Sequence, residues 1–112
     1  MEKWKKIAPT LDFIAKLAPS QRKQFLRTAK SDIIRLLTNF VYNLVTANHL
    51  PLTKEIIDRL RPFKKQLLLA STKNISLLKR KKIFILSDCL GKVLNILIPF
   101  LNKVLFLQEK HG

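Results

Sequence analysis

The chain is poor in cysteine, glycine and acid, and each shortage removes a class of function. Cys89 is the single cysteine among 112 residues, so no intrachain disulfide forms and a stapled, secreted scaffold is disfavoured. The plain reading of Cys89 is a small apolar residue. Gly91 and Gly112 are the only glycines, which leaves no glycine-rich phosphate loop. The seven acids are scattered, whereas acid–base chemistry needs carboxylates or histidines placed together. Glu55 and Asp58 lie three apart, but Lys54, Arg59 and Arg61 flank them as ready ion-pair partners. His49 and His111 stand far apart with no cysteine cluster, so no zinc pattern is present. No nucleophile has a base near it in sequence. These absences predict a protein that is not an enzyme and takes no metal or cofactor.

Two targeting features are missing as well. Asp12, Lys16 and two prolines interrupt the first 20 residues, so no signal peptide is expected. The most apolar region, 83–107, contains Asp88, Lys92 and Lys103, and only ten uncharged residues separate those two lysines. A conventional membrane span needs about 20 largely apolar residues.

What is abundant is positive charge. Twenty-two Lys and Arg give a net charge of +15. Such an excess repels itself and attracts polyanions, of which nucleic acid and anionic lipid are the obvious candidates. The hydrophobic fraction, 47 %, is too high for a disordered basic tail. With one domain's length, the chain can build a core, though a thin one.

The pattern along the chain reads as all-α. A basic arm (1–9) carries Trp4. Thr10 and Ser20 are candidate caps for two short helices, the first stopped by Pro19. Ser31 and Asp32 suit the start of a third helix, with Ile33, Leu36, Leu37, Phe40, Val41, Leu44 and Val45 as its apolar stripe and Asn48 and His49 at its end. Thr53 can cap a fourth helix, which Pro62 should kink. The helical domain thus covers 10–72. A basic segment (73–86) follows, with Ser76 as cap and 83–86 ambiguous between helix and strand. The tail (87–112) is an amphipathic apolar helix. It is wide on its greasy side and has one polar stripe of Asp88, Lys92, Asn95, Pro99, Asn102 and Lys103.

The charge is concentrated. Residues 59–87 hold nine basic side chains and no acid. Arg59, Arg61, Lys64, Lys65, Lys73, Lys79, Arg80, Lys81 and Lys82 are therefore the candidate phosphate ligands. An ordinary solvated face is the bland alternative. Sequence-specific reading is disfavoured, because among the short helices at 11–48 that could imitate a helix-turn-helix the longest is largely apolar, and the charge lies elsewhere. Trp4, Phe25 and Phe84 could stack on bases, though aromatics at helical spacing are more often core. The run 79–82 also matches a short nuclear import signal.

For the tail three readings stand open: it completes the core, it docks on a partner protein, or it lies in a bilayer surface. In the last case Leu94, Leu97, Ile98, Phe100, Leu101 and Leu105 would touch lipid, beside a polybasic segment that suits anionic head groups.

The order of Ser31-Asp32-Ile33-Ile34, Leu50-Pro51-Leu52-Thr53-Lys54, the stretch 61–69 and Asn74-Ile75-Ser76-Leu77-Leu78-Lys79-Arg80-Lys81-Lys82 resembles the small basic proteins of Polinton/Maverick-type elements and adintoviruses. The resemblance implies a minor virion protein, in the manner of DNA-condensing adenoviral core proteins or of membrane-active capsid proteins. It implies double-stranded DNA and other virion proteins as partners, and a virion or nuclear location. The expected function is sequence-nonspecific nucleic-acid binding in DNA packaging. The alternatives are a membrane-active protein and a helical adaptor.

Overall fold

The computed structural model describes residues 2–46 and 52–111, with side chains described for 5–46 and 52–106. It is all-α, and no strand occurs among the described residues. Helices run in the order α1 (Glu2–Lys16), α2 (Pro19–Thr28), α3 (Ser31–Thr46), α4 (Lys54–Leu60), α5 (Lys64–Ala70), α6 (Leu77–Ile85), α7 (Cys89–Ile96) and α8 (Ile98–His111). A 3-10 turn, Arg61–Phe63, joins α4 to α5, and another, Leu86–Asp88, joins α6 to α7.

The N-terminal arm is helical, contrary to expectation. Thr10 lies inside α1 rather than capping it, and Pro9 is within the helix. The reason is apolar periodicity. Ile7, Ala8, Leu11, Ile14 and Ala15 repeat at helical spacing and all are buried, which offsets the donor that Pro9 removes. Nor does Ser20 cap α2. Pro19 takes the first helical position, where its missing N–H costs nothing and its φ is preset. The Gln21 Oε1 accepts from the Ala18 backbone N–H at 3.0 Å.

Other expectations hold. Thr53 accepts from the Ile56 N–H at 3.3 Å, and Ser76 accepts from the Lys79 N–H at 3.1 Å. Pro62 ends α4 at Leu60 and forces the 3-10 turn. The ambiguous stretch after Lys82 is helix as far as Ile85. In α3 the predicted Leu37, Phe40 and Val41 are buried and Ile33, Leu36, Leu44 and Val45 half-buried, but the deep side also takes Ile34, which the predicted stripe left out. The predicted end of this helix, at Asn48 and His49, falls outside the described residues.

One core joins these elements. α1 packs on α7 and α8, α3 packs on α5 and α6, and α2 packs on α6. The radius of gyration is 13.4 Å, against about 13 Å for a compact chain of this length. The tail is therefore folded in. It is two helices rather than one, broken at Leu97 just ahead of Pro99. Most of its polar stripe faces out: Lys92, Asn95, Pro99, Asn102 and Lys103 are exposed, whereas Asp88 is half-buried and turned to Arg22.

Candidate nucleic-acid interface

The acid-free run folds into α5, α6 and the turns around them. On α5 the buried side is Leu67 and Ala70, so Lys64 and Lys65 point outward. On α6 the buried side is Ile83 and Phe84; Lys82 points away from it and Lys79, one turn before Ile83, stands exposed at its edge. α5 and α6 pack on each other and both rest on α3. Their outer faces thus lie on the side away from α3. Seven of the nine candidate phosphate ligands are exposed.

The structure divides these nine by role. Arg59, Lys64, Lys65, Lys73, Lys79 and Lys82 are exposed and make no ion pair among the described residues. Arg61 pairs with Asp58 at 2.9 Å on the surface, a contact worth little. Arg80 and Lys81 are half-buried and structural. The Arg80 Nη2 donates to the Thr72 and Lys73 carbonyls at 2.7 and 3.3 Å and holds the joint between α5 and α6. The Lys81 Nζ donates to the Arg27 carbonyl at 3.0 Å. That places a cation at the negative end of α2, where the helix dipole favours it. The run 79–82 is thus helical, with two of its four side chains committed inside the fold. The same contact brings exposed Arg27 beside the basic surface from far away in sequence.

Of the aromatics considered for stacking, Phe84 is fully buried. Phe25 is half-buried and meets Phe13 edge-on, with ring centroids 5.8 Å apart. The Trp4 side chain lies outside those described.

The tail residues considered for lipid contact are in the core. Leu94 and Leu97 are 0 % exposed, Leu101 is 1 % and Phe100 is 5 %. Ile98 and Leu105 are half-buried against them. The physical reason is α1, which supplies Leu11 and Ile14 as a matching apolar side. No single helix among the described residues is long and apolar enough to cross a membrane.

Sequence reasoning missed Arg22, which is 3 % exposed. Its Nε donates to the Ile14 carbonyl at 3.0 Å, and its Nη2 donates to the Ala15 and Leu17 carbonyls at 3.0 and 2.6 Å. These carbonyls lie at and just beyond the end of α1, where helix acceptors run out of intrahelical donors; that of Ile14 also takes the Leu17 N–H at 3.3 Å. Its Nη1 pairs with the Asp88 Oδ2 at 2.5 Å. Asp88 and Ser87 both have left-handed backbones, with φ of 53° and 52°. Such a pair of non-glycine residues is uncommon, and the ion pair holds the reversal in place. Gly91 is explained by the same group. A Cβ there would overlap the Arg22 guanidinium and the Asp88 carboxylate. The only sequence signal for this cluster was the isolated Gly91 one turn beyond Asp88.

No group of three or more metal-ligating side chains occurs among the described residues. Burial pushes the Cys89 thiol above its ordinary range; Lys92 pulls it down and Asp88 pushes it up. In comparison with known protein families, curated proteins and solved structures, the chain matches none.

Proposed function

We propose that the protein is a non-enzymatic, sequence-nonspecific nucleic-acid-binding protein that packages DNA or serves as a minor virion protein. One observation carries this reading: six cations with no ion pair among the described residues stand exposed along α4 to α6, in a stretch of 29 residues without an acid. Each such cation neutralises a phosphate and releases a condensed counterion. No base edge needs to be read for this, so affinity is spread evenly over sequences. A net charge of +15 on so small a body suits dense neutralisation of a duplex. The motif order that resembles virion-associated proteins of mobile elements supports the packaging role.

The test is a salt titration of binding to random duplex DNA. Six phosphate contacts give a log–log slope of about −5, which is about a thousandfold loss between 50 and 200 mM salt. Changing Lys79 and Lys82 together to Gln should flatten the slope by about 2 and leave the urea midpoint unchanged. Affinity that ignores salt, or a slope unmoved in the variant, would overturn the reading.

A further inference from the structure

The outer faces of α5 and α6 carry leucines as well as lysines. Leu68 and Leu69 are 42 % and 47 % exposed, Leu78 is 63 % and Leu86 is 59 %. Single exposed leucines are ordinary. Here they are concentrated: of the nine large exposed hydrophobic side chains in the described structure, five lie within 77–86 or at 68–69. They also interleave with lysine at helical spacing. Lys64 is four residues before Leu68 and Lys65 is four before Leu69, while Lys82 lies four after Leu78 and Leu86 follows in the turn after α6. Residues four apart share a helix face. The result is rows in which leucine and lysine stand together, on helices whose inner sides are already satisfied by α3.

Phosphate neutralisation has no use for these leucines, since a duplex backbone offers them nothing apolar. A second copy of the chain would bring two acid-free basic faces together, and like charges would oppose that pairing. An anionic bilayer answers both halves of the pattern. Its head groups pair with the lysines, and its acyl boundary accepts the leucines. Lysine stems reach along apolar surface while keeping their ammonium at the phosphate level.

We infer that the outer face of α5 and α6 is a docking surface for anionic lipid bilayers, reached without opening the core. The lysines that meet lipid head groups are among those that meet DNA, so the two ligands exclude each other, but the vesicle readout does not depend on the nucleic-acid reading.

The experiment compares cosedimentation with phosphatidylcholine vesicles, with and without phosphatidylserine, for the whole protein and for a variant carrying Leu68→Ser, Leu69→Ser and Leu78→Ser. These side chains are exposed, so the variant should keep its circular dichroism and its urea midpoint. The wild type should bind only the vesicles containing phosphatidylserine. Losing three partly inserted leucines should weaken that binding about a hundredfold, while duplex binding stays the same. Equal vesicle binding by the variant would overturn the proposal, because charge alone would then account for it. So would a parallel loss of duplex binding, or a wild-type dimer that the variant dissociates, since nucleic acid or a second copy would then occupy the leucine rows.

Discussion

Helices α5 and α6 and helices α7 and α8 are written in the same alphabet of leucine, isoleucine and lysine, yet they meet opposite fates. In α7 and the first half of α8 the polar residues fall on one stripe, so the apolar residues share one wide side, and α1 covers it; Phe106, further along α8, is exposed. In α6, Leu77, Leu78, Ile83, Phe84 and Ile85 are spread around the helix, while Lys79 and Lys82 break up its outer side. No single neighbour can bury such a distribution. Ile83 and Phe84 go inward and Leu78 is left outside. Apolar content alone does not decide burial; segregation of that content on one side does.

The comparison breaks most completely at Arg22. Arg22→Ala removes four hydrogen bonds at once, leaves three carbonyls at the end of α1 without this donor, and strips Asp88 of its counter-charge. Breaking a buried ion pair from one side costs about 3–5 kcal/mol. Asp88 is 29 % exposed, so water softens its share and the lower end, about 3 kcal/mol, is expected. Urea unfolding measures it. The reversal at Leu86–Asp88 should loosen with it, so hydrogen exchange should rise first in α7. If the urea midpoint stays unchanged, Arg22 is not the group that seats the tail.

A gentler substitution sharpens the same contrast. Leu97→Ala in the covered half leaves a cavity and should cost about 3 kcal/mol. Leu78→Ala in the uncovered half should change stability by less than about 0.5 kcal/mol. Equal costs from urea unfolding would mean that α6 is covered in solution by something other than the described residues.

These two helical pairs also show what was legible beforehand. The caps at Thr53 and Ser76 and the break at Pro62 were readable, because each depends on residues within one turn. The polar stripe of the tail was readable for the same reason. The start of helix α1 is not legible because Thr10 reads as a cap, while the packing of α1 on α7 and α8 depends on the far end of the chain. Arg22 was unreadable in principle from local pattern. Its partner, Asp88, is 66 residues away, and an arginine beside Lys23 and Arg27 on a short polar helix looks like surface. The positive φ at Ser87 and Asp88 was hidden likewise, since no glycine marks that turn. For the basic surface, the sequence showed where the charge lies, but only the fold distinguishes Lys79 and Lys82, which face out, from Arg80 and Lys81, which hold helices together.

The smallest expected effect tests the covered half from inside. Cys89 begins α7 immediately after the reversal and is 1 % exposed. Burial raises its thiol above the ordinary value of 9.0, with Lys92 lowering it and Asp88 raising it by lesser amounts. A raised value means that the folded state keeps a proton which the unfolded chain gives up. The contribution of this thiol to stability is therefore full below pH 9.0 and lost as the pH rises from there through the folded-state value. Lysines also titrate in that range, so the informative quantity is a difference. The drop in urea midpoint above pH 9.0 should be smaller in Cys89→Ala than in the wild type. The same burial makes the thiol slow to alkylate at neutral pH, and alkylation should accelerate once urea opens the core. A Cys89 that alkylates as fast in the folded protein as in urea would mean that α7 swings free of α1 in solution, and the division between a covered and an uncovered half would not hold.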